Sequence, residues 1–150
     1  MDDLQRHTMK RLSLTVFGAL ALVGAVSADP MDVYGVWQTE AGTSYVTIAD
    51  CGDSTPCGVV TWLDPDTLPE GVTPETATSE AGDKVLGLQM LVGFTARKKD
   101  WRGGTIYDPE NDKSYASRLK RLDDDRLQVK GCVGPVCQTQ VWTVAPEAAG

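Results

Sequence analysis

The sequence predicts an all-β domain, specifically an eight-stranded antiparallel up-and-down barrel. After residue 28, apolar residues alternate with a period of two along most of the chain, and no convincing amphipathic helical stripe occurs. The alternating runs number eight, and turn-forming segments join most of them directly to the next. Sequential hairpins in that number favour a barrel, because closure removes the exposed sheet edges. A two-sheet β-sandwich has the same periodicity and is the alternative.

The first 28 residues have the organisation of a secretory signal peptide. Lys10 and Arg11 precede an apolar segment, residues 14–26, and small residues follow it up to Ala28. That segment is shorter than the ~20 residues that span a bilayer, which argues against an uncleaved anchor. We expect cleavage after Ala28. The mature chain then begins at Asp29 without a cysteine for lipid attachment, which predicts a periplasmic or secreted protein rather than a lipoprotein.

The start of translation is open between Met1 and Met9. Asp2 and Asp3 precede the basic pair, whereas the first region of a signal peptide is usually positive. We therefore favour Met9 as the true start.

Composition excludes several classes of function. The chain has 14 basic and 21 acidic residues and a formal net charge of −7, which argues against nucleic-acid binding. Its one histidine, His7, belongs to the signal segment. The mature chain therefore lacks an imidazole for Ser-His or Cys-His catalysis or for zinc binding. No catalytic motif is recognisable, so we predict neither an enzyme nor a cofactor or metal site.

The four cysteines of an exported chain predict disulfides. They are Cys51, Cys57, Cys132 and Cys137, and three pairings exist. We favour pairing each cysteine with its neighbour in sequence, because each such pair brackets a short loop that contains Gly and Pro. Closing loops this short stabilises by about 2 kcal/mol each, so energetics alone does not choose. A four-cysteine zinc site is the alternative, but export and the wide spacings disfavour it.

The first three strands are predicted before a long loop. They occupy residues 34–39, 44–51 and 58–63. The first contains Gly35 and Trp37, the second alternates Val46 and Ile48 with polar residues, and the third is a β-branched run that includes Trp62. Residues 64–84 are rich in Pro, Thr and Glu, which predicts a long acidic loop.

The fourth strand is predicted at residues 85–94. The alternation places five apolar side chains on one face: Leu86, Leu88, Met90, Val92 and Phe94. Glycines at positions 87 and 93 lie on the other face, where they indicate bends or close backbone approach.

Four further strands complete the predicted barrel. They occupy residues 101–107, 113–122, 126–130 and 138–144. Residues 108–112 and 123–125 are acidic turns, and the third connection carries the second cysteine pair. The domain is therefore expected to cover residues 29–145, with a flexible tail at residues 146–150.

Segments along nearly the whole mature chain resemble an uncharacterised bacterial exported family, domain of unknown function 2147, whose members are lipocalin-like. The matching segments are residues 35–37, 51, 57–58, 86–88, 93–94, 101–109, 113–115, 131–132, 137 and 140–142. The resemblance implies an eight-stranded calycin-type barrel in the cell envelope and no particular reaction. Gly35 and Trp37 are similar to the Gly-x-Trp motif of lipocalins, in which the Trp closes one barrel end. This chain has Asp112 where family members usually carry Gly, so a positive φ there would be strained.

The candidate ligand contacts are Trp62, Trp101, Gly104, Tyr107, Tyr115 and Arg121. Tryptophans could line a cavity, although a core position is common for tryptophan in a small β domain. The four in this chain are Trp37, Trp62, Trp101 and Trp142. Gly104 and other glycines on central strands would leave room for a ligand. Arg121 could meet a ligand carboxylate near the mouth, and its alternative is an ion pair with Asp123 or Asp125.

Two functions fit these observations. The first is a periplasmic lipocalin-like protein that binds a small apolar or amphiphilic molecule in its barrel. The second is a module that interacts with an envelope protein or serves a structural role, with its barrel filled by its own side chains. A basic run at residues 97–99 could attract an anionic lipid or polymer.

Overall fold

A computed structural model describes residues 28–146, which form nine β-strands and one short 3-10 helix, Pro65–Thr67. The strands are β1 (Gly35–Gln38), β2 (Ser44–Asp50), β3 (Pro56–Leu63), β4 (Gln89–Val92), β5 (Thr95–Ala96), β6 (Trp101–Asp108), β7 (Lys113–Arg121), β8 (Arg126–Val133) and β9 (Val136–Val144). The predicted signal segment and tail lie outside the described residues, apart from Ala28 and Pro146. No helix among residues 28–146 is long and apolar enough to cross a membrane.

Eight of the strands close into one antiparallel barrel. The order of neighbours is β1-β2-β3-β4-β6-β7-β8-β9, and β9 pairs back onto β1. The remaining strand, β5, has two residues and pairs with the start of β6. Closure leaves no room for a separate second sheet, so the predicted up-and-down barrel is confirmed and the sandwich alternative is wrong.

The fourth strand is shorter than predicted. Gly87 and Gly93 adopt φ of 89° and 83°, which break the extended conformation on either side of β4. Within β4, Leu91 is fully buried whereas Val92 is 39% exposed, so at these two positions the core receives Leu91 rather than the residue of the five-membered apolar face. The physical reason lies on the neighbouring strand: a Cβ at Gly58 would lie 2.7 Å from the Leu91 side chain.

The segment before β1 closes one end of the barrel. The indole N–H of Trp37 donates to the Val33 carbonyl at 2.9 Å, and the indole N–H of Trp101 donates to the Met31 carbonyl at 2.8 Å. Both tryptophans are buried and join the main core cluster. Residues 30–33 therefore form a strap across this closed end, and two buried indoles hold the strap in place.

Arg121, at the end of β7, forms hydrogen bonds with the same strap. Its backbone N–H donates to the Pro30 carbonyl at 3.0 Å, and its guanidinium donates to the Asp32 carbonyl at 3.2 Å. The guanidinium carbon also lies 5.4 Å from the centre of the Trp37 ring, within cation–π range. Arg121, which begins the β7–β8 turn, thus contacts both the strap and the buried ring of Trp37.

Both disulfides follow the pairing favoured above. Cys51 bonds to Cys57 between β2 and β3, and Cys132 bonds to Cys137 across the β8–β9 hairpin. Because consecutive strands run antiparallel, the first disulfide lies at the closed end and the second at the opposite, open end.

The long loop is anchored more firmly than its composition suggests. Val60, Leu63 and Ala77 form a second buried cluster, against which residues of the loop and Met90 pack. The Glu80 backbone N–H also donates to the Pro109 carbonyl at 2.8 Å. The loop is thereby joined to the β6–β7 turn at the open end.

Asp112 adopts φ of 48°, in the left-handed region. The family resemblance places a glycine at this turn, and glycine adopts such a φ without strain. Asp tolerates the conformation better than most residues, and its carboxylate accepts a hydrogen bond from the Tyr107 hydroxyl at 3.0 Å.

Candidate functional site

A cavity of about 780 Å³ occupies the open end of the barrel. The loop between β1 and β2, the β6–β7 turn and the β8–β9 hairpin surround its mouth, and the inner faces of β6, β7, β8 and β9 form its walls. The volume lies within the range of small-molecule sites. The barrel interior is therefore divided between a packed core at the closed end and a cavity at the open end.

The deep part of the cavity is apolar. Met90, Ile106, Val129 and Trp142 line it, and Val129 and Trp142 are continuous with the main core cluster. The indole N–H of Trp142 donates to the Gln140 side chain at 2.8 Å, which satisfies its polar atom. An apolar group can therefore pack against this part of the cavity without leaving a polar atom of Trp142 unpaired.

The rim of the cavity carries three carboxylates, Glu40, Asp108 and Glu110. Glu40 accepts the Val141 backbone N–H at 3.0 Å, which fixes the β1–β2 loop against β9. Asp108 accepts the Glu110 backbone N–H at 3.0 Å, and its other oxygen accepts the Asn111 side-chain amide at 2.7 Å. The polar rim is thus held in place by bonds within the open end.

One side of the mouth is apolar and exposed. Val133 and Val136, which pair directly at the end of the β8–β9 hairpin, are 67% and 70% exposed. Both line the cavity, and the Cys132–Cys137 disulfide crosses the hairpin next to them. We call Val133 and Val136 the apolar lip, because an apolar molecule would pass them on entry.

The phenol of Tyr107 has a pKa above its ordinary value. A hydrogen bond with Ser79 lowers the pKa, but partial desolvation and the neighbouring Asp112 and Asp83 carboxylates together raise it more. Tyr107 therefore remains a neutral hydrogen-bond donor at neutral pH.

The candidate ligand contacts fall into two groups. Tyr107 and Tyr115 line the cavity. Trp62 instead stacks on Tyr45 with 4.2 Å between ring centres, and Trp101 lies in the core under the strap. Arg121 lies at the closed end, where it meets backbone carbonyls of the strap and of the β7–β8 turn as well as the Asp32 carboxylate at 3.5 Å.

Gly104 lies on the inner face of β6, but the space beside it is filled. A Cβ at this position would lie 2.5 Å from the ring of Phe94, which is itself buried. The room that this glycine provides is therefore occupied by a core side chain.

Several cavity residues carry no recognisable signal in the sequence. Glu40 and Glu110 belong to turns that look like ordinary solvated loops, whereas Trp142 is one of the four tryptophans that the sequence offers as a cavity residue. Gly131 also lines the cavity, opposite Ser117 in the β7–β8 ladder. Only closure of the barrel brings these positions together, although alternation along β9 could have grouped Val136, Gln138, Gln140 and Trp142.

A second, shallower groove lies at the closed end. Its lining consists of Arg97, Lys98, Lys99, Asp100, Arg102 and Lys120. Asp100 binds Arg102 at 2.8 Å, so the groove retains a surplus of positive charge on an acidic chain. Across the described part of the chain, no three His, Cys, Asp or Glu side chains are grouped so that they could hold a metal ion.

Comparison with known proteins agrees with this architecture. A solved structure described as "Protein HP1028 from the human pathogen Helicobacter pylori belongs to the lipocalin family" matches with a TM-score of 0.59 and 16% identity, over 81% of this chain and 86% of that chain. At that identity the likeness shows the fold alone, a lipocalin-like barrel. No curated protein matches the chain. The model of the family "Uncharacterized protein conserved in bacteria (DUF2147)" matches residues 35–144, from the first residue of β1 to the last of β9. The chain therefore belongs to the domain of unknown function 2147 family.

Proposed function

We propose that this protein is an exported binding protein that holds one small apolar or amphiphilic molecule in its barrel. The observation that carries the proposal is the cavity of about 780 Å³ at the open end. Its apolar floor, polar rim and apolar lip together suit a molecule with an apolar body and a polar end. Eight-stranded barrels of lipocalin type have room for one such ligand.

Export is part of the proposal. It is supported by the signal-peptide organisation of residues 1–28 and by two disulfides, which persist in oxidising compartments. The strap begins two residues after Ala28, so cleavage there would leave its contacts with Trp37 and Trp101 intact. Denaturing mass spectrometry of the protein recovered from the periplasm tests this proposal. A chain that begins at Asp29 supports it, and a full-length chain found in the cytoplasm contradicts it.

Binding in the cavity is tested with a neutral fluorescent probe, N-phenyl-1-naphthylamine, and the mature protein. The variant Gly131→Leu places a side chain directly in the cavity. The backbone at Gly131 is one that L-residues adopt, and a Cβ at this position would lie 3.5 Å from a methyl of Ile106, an ordinary contact. We expect the parent protein to enhance the probe's fluorescence and Gly131→Leu to abolish most of the enhancement without lowering the melting temperature.

Gly131→Ala is the matched control, because one methyl group leaves most of the cavity free. It should bind the probe nearly as well as the parent protein. A parent protein that does not bind the probe, or a Gly131→Leu variant that binds it as well as the parent, would contradict binding in this cavity.

The alternative function is an envelope interaction module, and the basic groove at the closed end favours it. Lys98, Lys99 and Lys120 line this groove, which would suit an anionic partner. Native mass spectrometry of protein purified gently from the periplasm separates the two functions. A small stoichiometric mass that is lost on denaturation supports the carrier, whereas a second polypeptide supports the interaction module.

A further inference from the structure

We propose that the cavity selects amphiphiles whose polar head group is a cation, with an alkylammonium ion as the simplest case. This inference rests on the proposed binding function and specifies the chemical class of the ligand. Two independent features of the cavity point to it: the sign of the charge around its mouth and the aromatic side chains that line it.

The charged side chains that line the cavity all have one sign. Glu40, Asp108 and Glu110 line the cavity, and no lysine or arginine does among its described lining residues. The groups that bond to Glu40 and Asp108 are backbone and side-chain amides, which fix the carboxylates without cancelling their charge. A cationic head group would therefore meet attraction that a carboxylate or sulfate head group would not.

The basic residues among residues 28–146 lie outside the cavity lining. Lys113 is opposite Asp108 in the β6–β7 ladder, but its side chain is exposed and does not belong to the cavity lining. The groove that contains Lys98 and Lys99 is at the closed end, beyond the packed core. The cavity lining at the open end is thus acidic, and a basic groove lies at the closed end. The negative charge of the cavity is therefore a local feature and does not simply follow from the net negative charge of the chain.

Aromatic side chains line the same cavity. They are Tyr107 and Tyr115, which are only partly buried, and the faces of such rings attract alkylammonium ions. The apolar lip and the partly buried side chains of Met90 and Ile106 supply the surface for an alkyl chain. Carboxylates, aromatic rings and an apolar floor together make up the chemistry that recognises a cationic amphiphile, whereas a fatty acid would lack any cationic partner here.

The test uses three probes with the same alkyl chain: dodecyltrimethylammonium, dodecyl maltoside and dodecanoate. Each is titrated calorimetrically into the mature protein at low ionic strength, below its critical micelle concentration. We expect the cationic probe to bind about tenfold more tightly than dodecanoate, with the neutral probe between them. The preference should shrink at high salt, because screening weakens attraction between exposed charges.

The variant Glu40→Gln/Glu110→Gln removes two charges of the rim and keeps the side-chain oxygen that accepts the Val141 N–H. Within this variant we compare the affinities for the cation and for dodecyl maltoside, and we expect their ratio to fall to about one, because the charge that distinguishes the two head groups is gone. Asp124→Asn, in the β7–β8 turn at the closed end, removes a charge far from the mouth and should keep the full preference. Thermal melts of both variants confirm that each is folded.

The outcomes distinguish this inference from the proposed function. Binding of the neutral probe with equal or tighter binding of dodecanoate would overturn the cationic preference and leave the carrier function standing. A preference that survives in Glu40→Gln/Glu110→Gln would also overturn it, because the charge would then not be the cause. Failure of all three probes to bind would overturn the proposed function, and this inference with it.

Discussion

Three small residues lie side by side on the inner wall of the barrel. Gly104 on β6 pairs with Ser117 on β7, which pairs with Gly131 on β8. At one end of this row the missing side chain of Gly104 admits the Phe94 ring, and at the other end Gly131 opens onto the cavity. Small residues in one row therefore serve two purposes, core packing and free volume.

Gly104→Ala should destabilise the protein, because its Cβ would lie 2.5 Å from the Phe94 ring. A fixed ring and a rigid strand leave little room for adjustment, so we expect a loss of about 1–3 kcal/mol in the free energy of unfolding, the usual cost of overpacking. Urea denaturation measures this loss. Gly131→Ala is the matched control in the same row and should lose far less. Equal stability of the two variants would contradict the packing described for Phe94.

At the scale of elements, the β7–β8 turn shows how an acidic cluster can be structural. Arg121 donates to the backbone carbonyls of Asp123 and Asp124, and the Asp123 carboxylate accepts the Arg126 guanidinium at 2.7 Å. The hydrogen bond from Arg126 is the largest of the influences that lower the pKa of Asp123 below its ordinary value. The acidic turn at residues 123–125 is thus stabilised by hydrogen bonds to its backbone and by an ion pair, and it forms part of the closed end.

The lowered pKa of Asp123 predicts a pH dependence of stability. Because the folded value lies below the unfolded one, the contribution of Asp123 is complete above its ordinary pKa of 3.8 and is lost as the pH falls through the lowered folded value. Asp123→Asn should therefore reduce stability at neutral pH but show less of the acid-induced loss. Chemical denaturation between neutral pH and pH 2 measures the difference.

Asp124→Asn serves as the control, since Asp124 contacts Arg121 through its backbone carbonyl. It should follow the parent's pH profile. If Asp123→Asn and the parent protein lose stability in parallel down to pH 2, the ion pair with Arg126 does not contribute in solution.

At the scale of the whole molecule, the two ends of the barrel differ in chemistry and in packing. The strap, Trp37, Trp101 and Arg121 seal the closed end, whereas the open end has a cavity with an acidic rim. Each end carries one disulfide. Similar cross-links at opposite ends allow an effect on stability to be separated from an effect on binding.

Removing either disulfide should lower the free energy of unfolding by about 2 kcal/mol, because both close short loops. Only Cys132→Ser/Cys137→Ser should also weaken probe binding, since this bond holds the hairpin that carries the apolar lip. Cys51→Ser/Cys57→Ser is the control at the closed end and should bind the probe like the parent protein. Equal effects of both variants on binding would contradict the assignment of the site to the open end.

Local sequence pattern is enough to predict the all-β class, the up-and-down barrel, seven of the eight barrel strands to within a few residues and the pairing of the cysteines. These features depend on neighbours along the chain: alternation with a period of two, turn residues between short runs, and cysteines that bracket tight loops.

Tertiary packing settles which side chains face the interior and which end is open. Leu91 rather than Val92 enters the core because Gly58, on the neighbouring strand, makes room for it. Arg121 lies at the closed end because the strap crosses there, and Glu40 reaches the mouth by bonding to β9. A shift of one residue in the pairing of a strand turns every one of its side chains to the opposite face. Closure of the barrel brings together residues that are distant in sequence. Local sequence pattern therefore determines neither which side chains face the interior nor which end of the barrel is open.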